Sequence, residues 1–524
     1  MEKRGISSPA AASAIGRAQW LALLAALLGW LFDGMEMGVF SLVGRKALQD
    51  LLPRAMAAQP TPDQLEKLVG NWFGIILACF LVGAATGGVL FGWLGDRIGR
   101  VRAMTFSVLT YAVFTGLCGL AQSAPQLGFL RFIASLGMGG EWSLGVALVM
   151  EAWPNRSRAF MAGLIGAAGN VGYMLVGFIS LGLIAWVQQI TAWLTHIGIS
   201  PQWVTALTQY QAWRLVMVVG AFPAILTFLI RIFVPESKRW EQERRNGATA
   251  HWATADLIAV FVGALGPGLI IFLWSNPNYG APLRVAGTVA GLLIACAGFL
   301  FPVGRYLQRM TVARPQDPPD WRATLRRMLL AAGLSGVALL GTWGSMQWAP
   351  SWAGKLATDP ALHAKEYTQI WAAIGAIAGT VGAALLGDWL GRRWTYCLLC
   401  LGSIASLLWL YQGQREYNSQ FLAATCLAGV FSASFYGWLP LYLPELFRTQ
   451  VRATGQGFGF NFGRILAAIG TLQTGALFAP KIELFGATYA GGYPFACSVM
   501  TAIYVVGLIL IWFGPETRRQ PLPD

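Results

Sequence analysis

Five ionisable side chains lie in stretches that are otherwise strongly apolar. Asp33 and Glu36 fall in GWLFDGMEMGVF (29–40), Glu141 in LGMGGEWSLG (136–145), Arg131 ten residues earlier, and Arg464 in GFNFGRILAA (459–468). At the centre of a membrane helix such a group costs roughly 2.5–3.5 kcal/mol on insertion scales, so each must be required. Asp33 and Glu36 are three residues apart and share a helix face. That face is expected to look into an interior cavity, because lipid is too costly. Two acids close together in low dielectric do not both ionise easily, so one is expected to exchange a proton. The alternative is a static network with Arg residues. Glu141 is a further proton candidate, or else a helix–helix hydrogen bond. Arg131 either steers an anion, pairs with an acid of the first helix, or snorkels.

Arg464 is the most informative cation. It stands about eleven residues into its helix, roughly 17 Å deep and near the bilayer midplane. There it needs an anion, and its planar fork suits a carboxylate. The two readings are a counter-ion for a substrate carboxylate and a permanent bridge to another helix. Asn461 is one turn away. Asn170 and Tyr173, Gln347, Tyr436 and Gln473 are hydrogen-bonding candidates for a solute. Trp343 and Trp348 are candidates for stacking on a ring, although Trp also serves packing and interface roles.

These residues need helices to hold them. Hydrophobic residues make up 56% of the 524, charged residues only 11%, against about 25% in soluble proteins. Apolar runs long enough to cross a bilayer recur from end to end. Helices are expected over 20–42, 70–94, 101–122, 126–150, 159–188, 212–234, 255–275, 284–305, 326–350, 367–389, 394–412, 419–444, 453–479 and 492–513. The fold class is therefore an all-α membrane protein with 14 transmembrane helices. The first run follows Lys3, Arg4 and Arg17 but is too long for a signal peptide and is expected to be retained.

The net charge of +14 lies mostly in short loops, which argues for topology and against nucleic acid. Both termini are expected in the cytoplasm. Cys397 and Cys400 form a CxxC inside an apolar run, which reads as core rather than metal. No spacing suggests a metal or cofactor, GMGG (137–140) lacks the GK[ST] of a phosphate loop, and no catalytic constellation stands out. An enzyme is not expected.

The chain repeats itself. GWLGDRIGR (92–100) recurs as GDWLGRR (387–393), and PES (235–237) as PET (515–517). Asp96 and Asp388 are 292 residues apart, Glu151 and Glu445 294. This implies parallel six-helix halves, 1–250 and 321–524, around two extra helices in 251–320. Such repeats point to a transporter that rocks one half on the other.

GWLGDRIGRVR (92–102), RFIASLGMGGEW (131–142), EAWPNRSR (151–158) and PESKRW (235–240) resemble the major facilitator superfamily, and in particular its sugar and organic-acid porters. DGME (33–36), RAQW (17–20), GGEW and the two extra helices are similar to bacterial sialic acid (sialate):proton symporters. Met35 and Glu36 depart from that pattern, in which an aromatic residue and a second Asp occur. The resemblance implies the major facilitator fold and a proton-coupled symporter of the inner membrane. It also implies that Asp96, Arg97, Arg100, Glu151 and Arg158 form an inner gate. The expected partners are a small organic anion or sugar acid, protons and the lipid bilayer, with the protein a monomer. A sialic-acid-like sugar is the first expected substrate; aromatic acids, lactate and neutral sugars follow, and a non-transporting sensor stands last.

Overall fold

The computed structural model describes residues 16–56, 60–154, 157–276, 278–316, 318–357, 359–477, 481–484 and 487–523. Helices α1 (Arg17–Arg54), α2 (Pro62–Ile98), α3 (Arg100–Cys118), α4 (Ala124–Ala152), α5 (Arg158–His196) and α6 (Pro201–Ile232) pack together. A short helix α7 (Lys238–Arg245) follows. Then come α8 (Leu257–Ser275) and α9 (Ala281–Ala313), packed on each other and against α2. The second group comprises α10 (Trp321–Gly344), α11 (Ala349–Leu356), α12 (Ala364–Leu390), α13 (Arg392–Gly413), α14 (Ser419–Ser432) and α15 (Phe435–Tyr442). It continues with α16 (Arg452–Asn461), α17 (Gly463–Leu477), α18 (Tyr493–Thr501) and α19 (Ile503–Leu510). Strands β1 (Lys481–Leu484) and β2 (Ala487–Ala490) pair antiparallel between α17 and α18.

Among the described residues thirteen helical segments are long and apolar enough to cross a membrane. The expected helix over 453–479 is present as α16 followed by α17. Three expected continuous helices are broken instead. The 326–350 segment stops at Ser345, whose carbonyl accepts a 2.6 Å bond from the Tyr411 hydroxyl, and a 3-10 turn over Met346–Trp348 leads into α11. The 419–444 segment is interrupted between α14 and α15, and the last helix between α18 and α19. Conversely, α6 begins earlier than expected and deviates from helical geometry at Gln209–Ala212.

Local sequence explains the starts. Thr61 caps α2 by accepting from the Gln64 amide, and Gln64 Oε1 accepts from the Thr61 amide at 3.0 Å. Pro62 at the first helical position loses nothing, since its missing N–H would have been unpaired. The turns from α2 to α3 and from α12 to α13 are one residue long. Each uses a glycine at positive φ, Gly99 (113°) and Gly391 (101°). These two glycines are 292 residues apart, the same offset as Asp96 and Asp388.

The two helical groups meet along α2 with α16 and α17, and along α5 with α12 and α15. Contact is backbone-close at Gly88, where an added Cβ would strike Asn461 and the Gly457 carbonyl. A bulky side chain there must wedge the groups apart. Gly88→Trp is expected to speed thiol labelling of a Ser143→Cys reporter by roughly tenfold or more, as a shifted two-state equilibrium would. Unchanged labelling would show that α2 and α16 do not govern access at this face.

Candidate functional site

A cavity of about 110 Å³ lies on the seam between the two groups. Helix α1 contributes Trp30, Asp33, Gly34 and Met37; α4 contributes Trp142; α5 contributes Gly166, Gly169, Asn170 and Tyr173. From the other side come Leu339, Thr342 and Trp343 of α10, Gln347 beyond its break, Tyr436 of α15, Phe460 of α16 and Arg464 of α17. The walls are therefore mainly aromatic and aliphatic, with a few polar groups.

Asp33 and Arg464 are the charged members. Both are buried, at 8% and 6% exposure. Asp33 Oδ1 has no hydrogen-bond donor, and Arg464 Nε and Nη1 have no acceptor. The guanidinium rests 5.5 Å from the Phe460 ring centre. Asp33 and Arg464 act on each other electrostatically, while Asp33 Oδ1 and Arg464 Nε and Nη1 stay unpartnered. Phe460 stacks on Trp142 with ring centres 3.8 Å apart, closing the cavity floor with one ring from each group.

The other expected site residues distribute as follows. Asn170 lines the cavity while its amide donates to the Gly166 carbonyl at 2.9 Å. Tyr173 and Gln347 line both this cavity and a vestibule of about 620 Å³ beyond it. At that boundary Gln347 Nε2 donates to Ser41 Oγ at 2.6 Å, and Gln369 Nε2 to the Tyr173 carbonyl at 2.7 Å. Tyr436 lines the cavity. Gln473 lies on α17, but its side chain is outside the described residues.

Four expected members, Glu36, Arg131, Asn461 and Glu141, stand elsewhere. Glu36 is buried but turned from the cavity, paired with Arg131, which is itself held between the Phe40 and Phe80 rings, each at 4.5 Å. Residues three apart on a helix diverge by about 60°, enough to send Asp33 to the seam and Glu36 to α4. Asn461 donates to the Gly139 and Gly457 carbonyls at 3.0 Å each, joining α16 to α4 rather than facing the cavity. Glu141 binds Arg231 at 2.6 Å. Arg231, Trp142, Trp30 and Phe460 were not among the expected site residues. A lone Arg at the end of an apolar run was the available signal for Arg231.

On the face opposite the vestibule the groups are latched. Asp96 accepts from the Thr454 amide at 2.8 Å, the Thr454 hydroxyl at 2.6 Å and Arg100 at 2.6 Å. Glu151 accepts from Arg452 at 2.9 Å and Arg100 at 3.2 Å, and Arg100 also donates to the Thr449 carbonyl at 2.7 Å. The bonds to Thr454, Arg452 and Thr449 cross the seam with charge on at least one partner, the strong class, while Arg100 braces both acids within the first group. Arg97 is not in this latch; it donates to Thr254 at 2.6 Å on the way to α8 and packs on Trp93. Arg158 lies beside the latch and donates to the Met150 carbonyl at 3.1 Å.

The second group repeats the cluster internally: Arg392 binds Glu445 at 2.6 Å and Asp388 at 3.9 Å. Glu516 accepts from the Arg392 amide at 3.0 Å as Glu236 does from that of Arg100 at 2.9 Å. Glu236, in the loop after α6, is pushed above the usual carboxylate range by burial, and these amides partly offset that.

Comparison with known proteins follows this geometry. The family model described as sugar (and other) transporter matches residues 21–257 and 357–520. A putative metabolite transport protein of Haemophilus influenzae is 26% identical over 507 residues, 96% of this chain and 98% of its own. The cis,cis-muconate transport protein of Acinetobacter baylyi is 26% identical over 434 residues, 82% of this chain and 84% of its own. The solved proton:xylose symporter XylE, bound to 6-bromo-6-deoxy-D-glucose, superposes with a TM-score of 0.65 at 17% identity. The match covers 97% of this chain and 98% of that one. This likeness establishes the major facilitator fold, and these proteins are transporters, not enzymes.

Removing one partner of a buried ion pair costs about 3–5 kcal/mol because the other charge is stranded. Glu151→Gln strands Arg452, leaves Arg100 with Asp96 alone, and is expected to open the latch. Spin labels at Arg102→Cys and Arg448→Cys, without the native cysteines, should then report a longer distance. Glu445→Gln, whose hydrogen-bonded partner Arg392 lies in its own group, should lengthen that distance much less.

Proposed function

The chain belongs to the sugar (and other) transporter family, and from that premise we propose that it imports a carboxylate-bearing solute by proton symport. It is a secondary transporter of the major facilitator type. The observation that carries the proposal is the pair of under-partnered charges, Asp33 and Arg464, facing one cavity from the two halves. An Arg buried near the midplane calls for an anion, and a guanidinium fork binds a carboxylate through two parallel bonds. An acid near it can take up a proton as that anion enters, so that the loaded cavity closes without uncompensated charge.

The basic loops on the latched face support placing that face, and both termini, in the cytoplasm of a bacterial inner membrane. The vestibule is then external. The Gln347 and Gln369 contacts part to admit proton and anion and close again behind them, the Asp96 and Glu151 latch then parts, and both ligands leave inward. The protein works as a monomer. One proton with one monoanion moves no net charge, leaving about 1.4 kcal/mol per pH unit as the drive. A second proton, on Glu36 or Glu141, would add about 2.3 kcal/mol per 100 mV.

Two solute classes compete. A sialic-acid-like sugar is supported by the GGEW and DGME motifs and by the polar reach of Asn170, Tyr173, Gln347 and Tyr436. A flat unsaturated or aromatic acid is supported by the Trp30, Trp142, Trp343 and Phe460 walls and by the relative named for cis,cis-muconate.

Uptake of labelled sialic acid, benzoate, lactate and xylose into proteoliposomes tests both levels. An acid, not xylose, is expected to accumulate, and only with an inward proton gradient. Arg464→Gln is expected to raise KM by roughly thirtyfold or more, about 2 kcal/mol of lost charge pairing. Asp33→Asn should retain exchange and lose gradient-driven accumulation. Xylose accumulation, or an unaltered Arg464→Gln, would contradict the proposal.

A further inference from the structure

Arg231 is a buried charge with no role in the account so far. It lies near the end of α6 at 1% exposure. Its Nη2 donates to Glu141 at 2.6 Å and to the Ala25 carbonyl at 3.3 Å. Its Nε and Nη1 are buried and donate to nothing. A guanidinium carries five N–H groups in a fixed fork, so a substantial part of this one still seeks an acceptor.

Its position names that acceptor. The Glu141–Arg231 pair packs over Gly29, where an added Cβ would strike both side chains. Gly29 is four residues before Asp33 on α1, so the pair sits one turn away on the same face. Asp33 Oδ1 is the nearby carboxylate oxygen without a donor. Helix α1 runs from the latched face, where Gln19 bonds to the Ala152 carbonyl, towards Ser41 and Arg45 in the vestibule. The pair therefore lies on the latched side of Asp33, the side to which a proton must depart.

Resting on the proton-symport reading, we infer that Arg231 is a positioning residue of the proton cycle. Glu141 holds its guanidinium while Asp33 carries the proton, and the guanidinium turns to the Asp33 carboxylate once that proton leaves. No covalent step is involved. The exchange draws α6 and α1 together whenever Asp33 is empty, which ties proton release to helix position. Other groups facing Asp33 are Tyr111 of α3, which donates to the Phe32 carbonyl at 3.0 Å, Tyr173 of α5, Tyr436 of α15 and Arg464 of α17.

Infrared pH-difference spectra of the whole protein in lipid, with no solute added, test this. A carboxylic-acid C=O band that Asp33→Asn removes reports the Asp33 proton. Arg231→Gln is expected to raise its midpoint by about one pH unit or more, a tenfold weaker acid. Arg231→Lys should return it towards the wild type. Glu141→Gln frees the guanidinium and should lower the midpoint. This variant carries the test if Arg231→Gln fails to fold. A midpoint unmoved by Arg231→Gln and Glu141→Gln confines Arg231 to packing and overturns the inference. No band assignable to Asp33 would instead overturn the proton-carrier reading on which it rests.

Discussion

A carboxyl group and a guanidinium face one largely apolar cavity, each with unfilled hydrogen-bonding capacity, and the proposed cycle depends on that arrangement. Asp33 comes from the first half and Arg464 from the second. Burying either alone is expensive, and pairing them permanently would leave nothing for a ligand. The cavity keeps them in electrostatic reach. The aromatic floor of Trp142 and Phe460 gives low polarity around them, which strengthens any charge that enters.

In the proposed cycle the seam opens on one face at a time. On the latched face, carboxylates of the first half take backbone and guanidinium donors from the second, at Asp96–Thr454 and Glu151–Arg452. On the vestibule face the crossings at Ser41–Gln347 and Tyr173–Gln369 involve neutral groups. The two closures therefore differ in strength. Close backbone approach at Gly88 brings the latch helices near enough for these bonds. The paired helices α8 and α9 lean on α2 and, through α8, on α17, so they touch both sides of the same seam.

Much of this was legible in the sequence. Apolar runs gave the helices because bilayer thickness leaves few alternatives for a chain so poor in charge. The resemblance of GWLGDRIGRVR and EAWPNRSR to the major facilitator motifs implied the latch, and Asp96, Arg100 and Glu151 are in it. The repeats could not reveal which of two equivalent arginines crosses the seam. Arg452 does so through a hydrogen bond to Glu151, whereas Arg158 acts on Glu445 only electrostatically, so this conformation breaks the symmetry that the sequence keeps. Helix breaks at Ser345 and after Ser432 were not visible either, since tertiary bonds to their carbonyls set them. Helical spacing placed Glu36 and Asn461 near the right faces, but a 60° difference sends each to a different neighbour. Among 23 tryptophans nothing in sequence alone singles out Trp30 and Trp142.

The central claim is that anion and proton bind as a unit because Arg464 and Asp33 share one cavity. Calorimetry of benzoate and sialic acid binding, in two buffers of different ionisation enthalpy, counts protons taken up with the ligand. The account predicts uptake of about one proton per bound acid, with none in Asp33→Asn. Tight binding with no proton exchanged at any pH would contradict it.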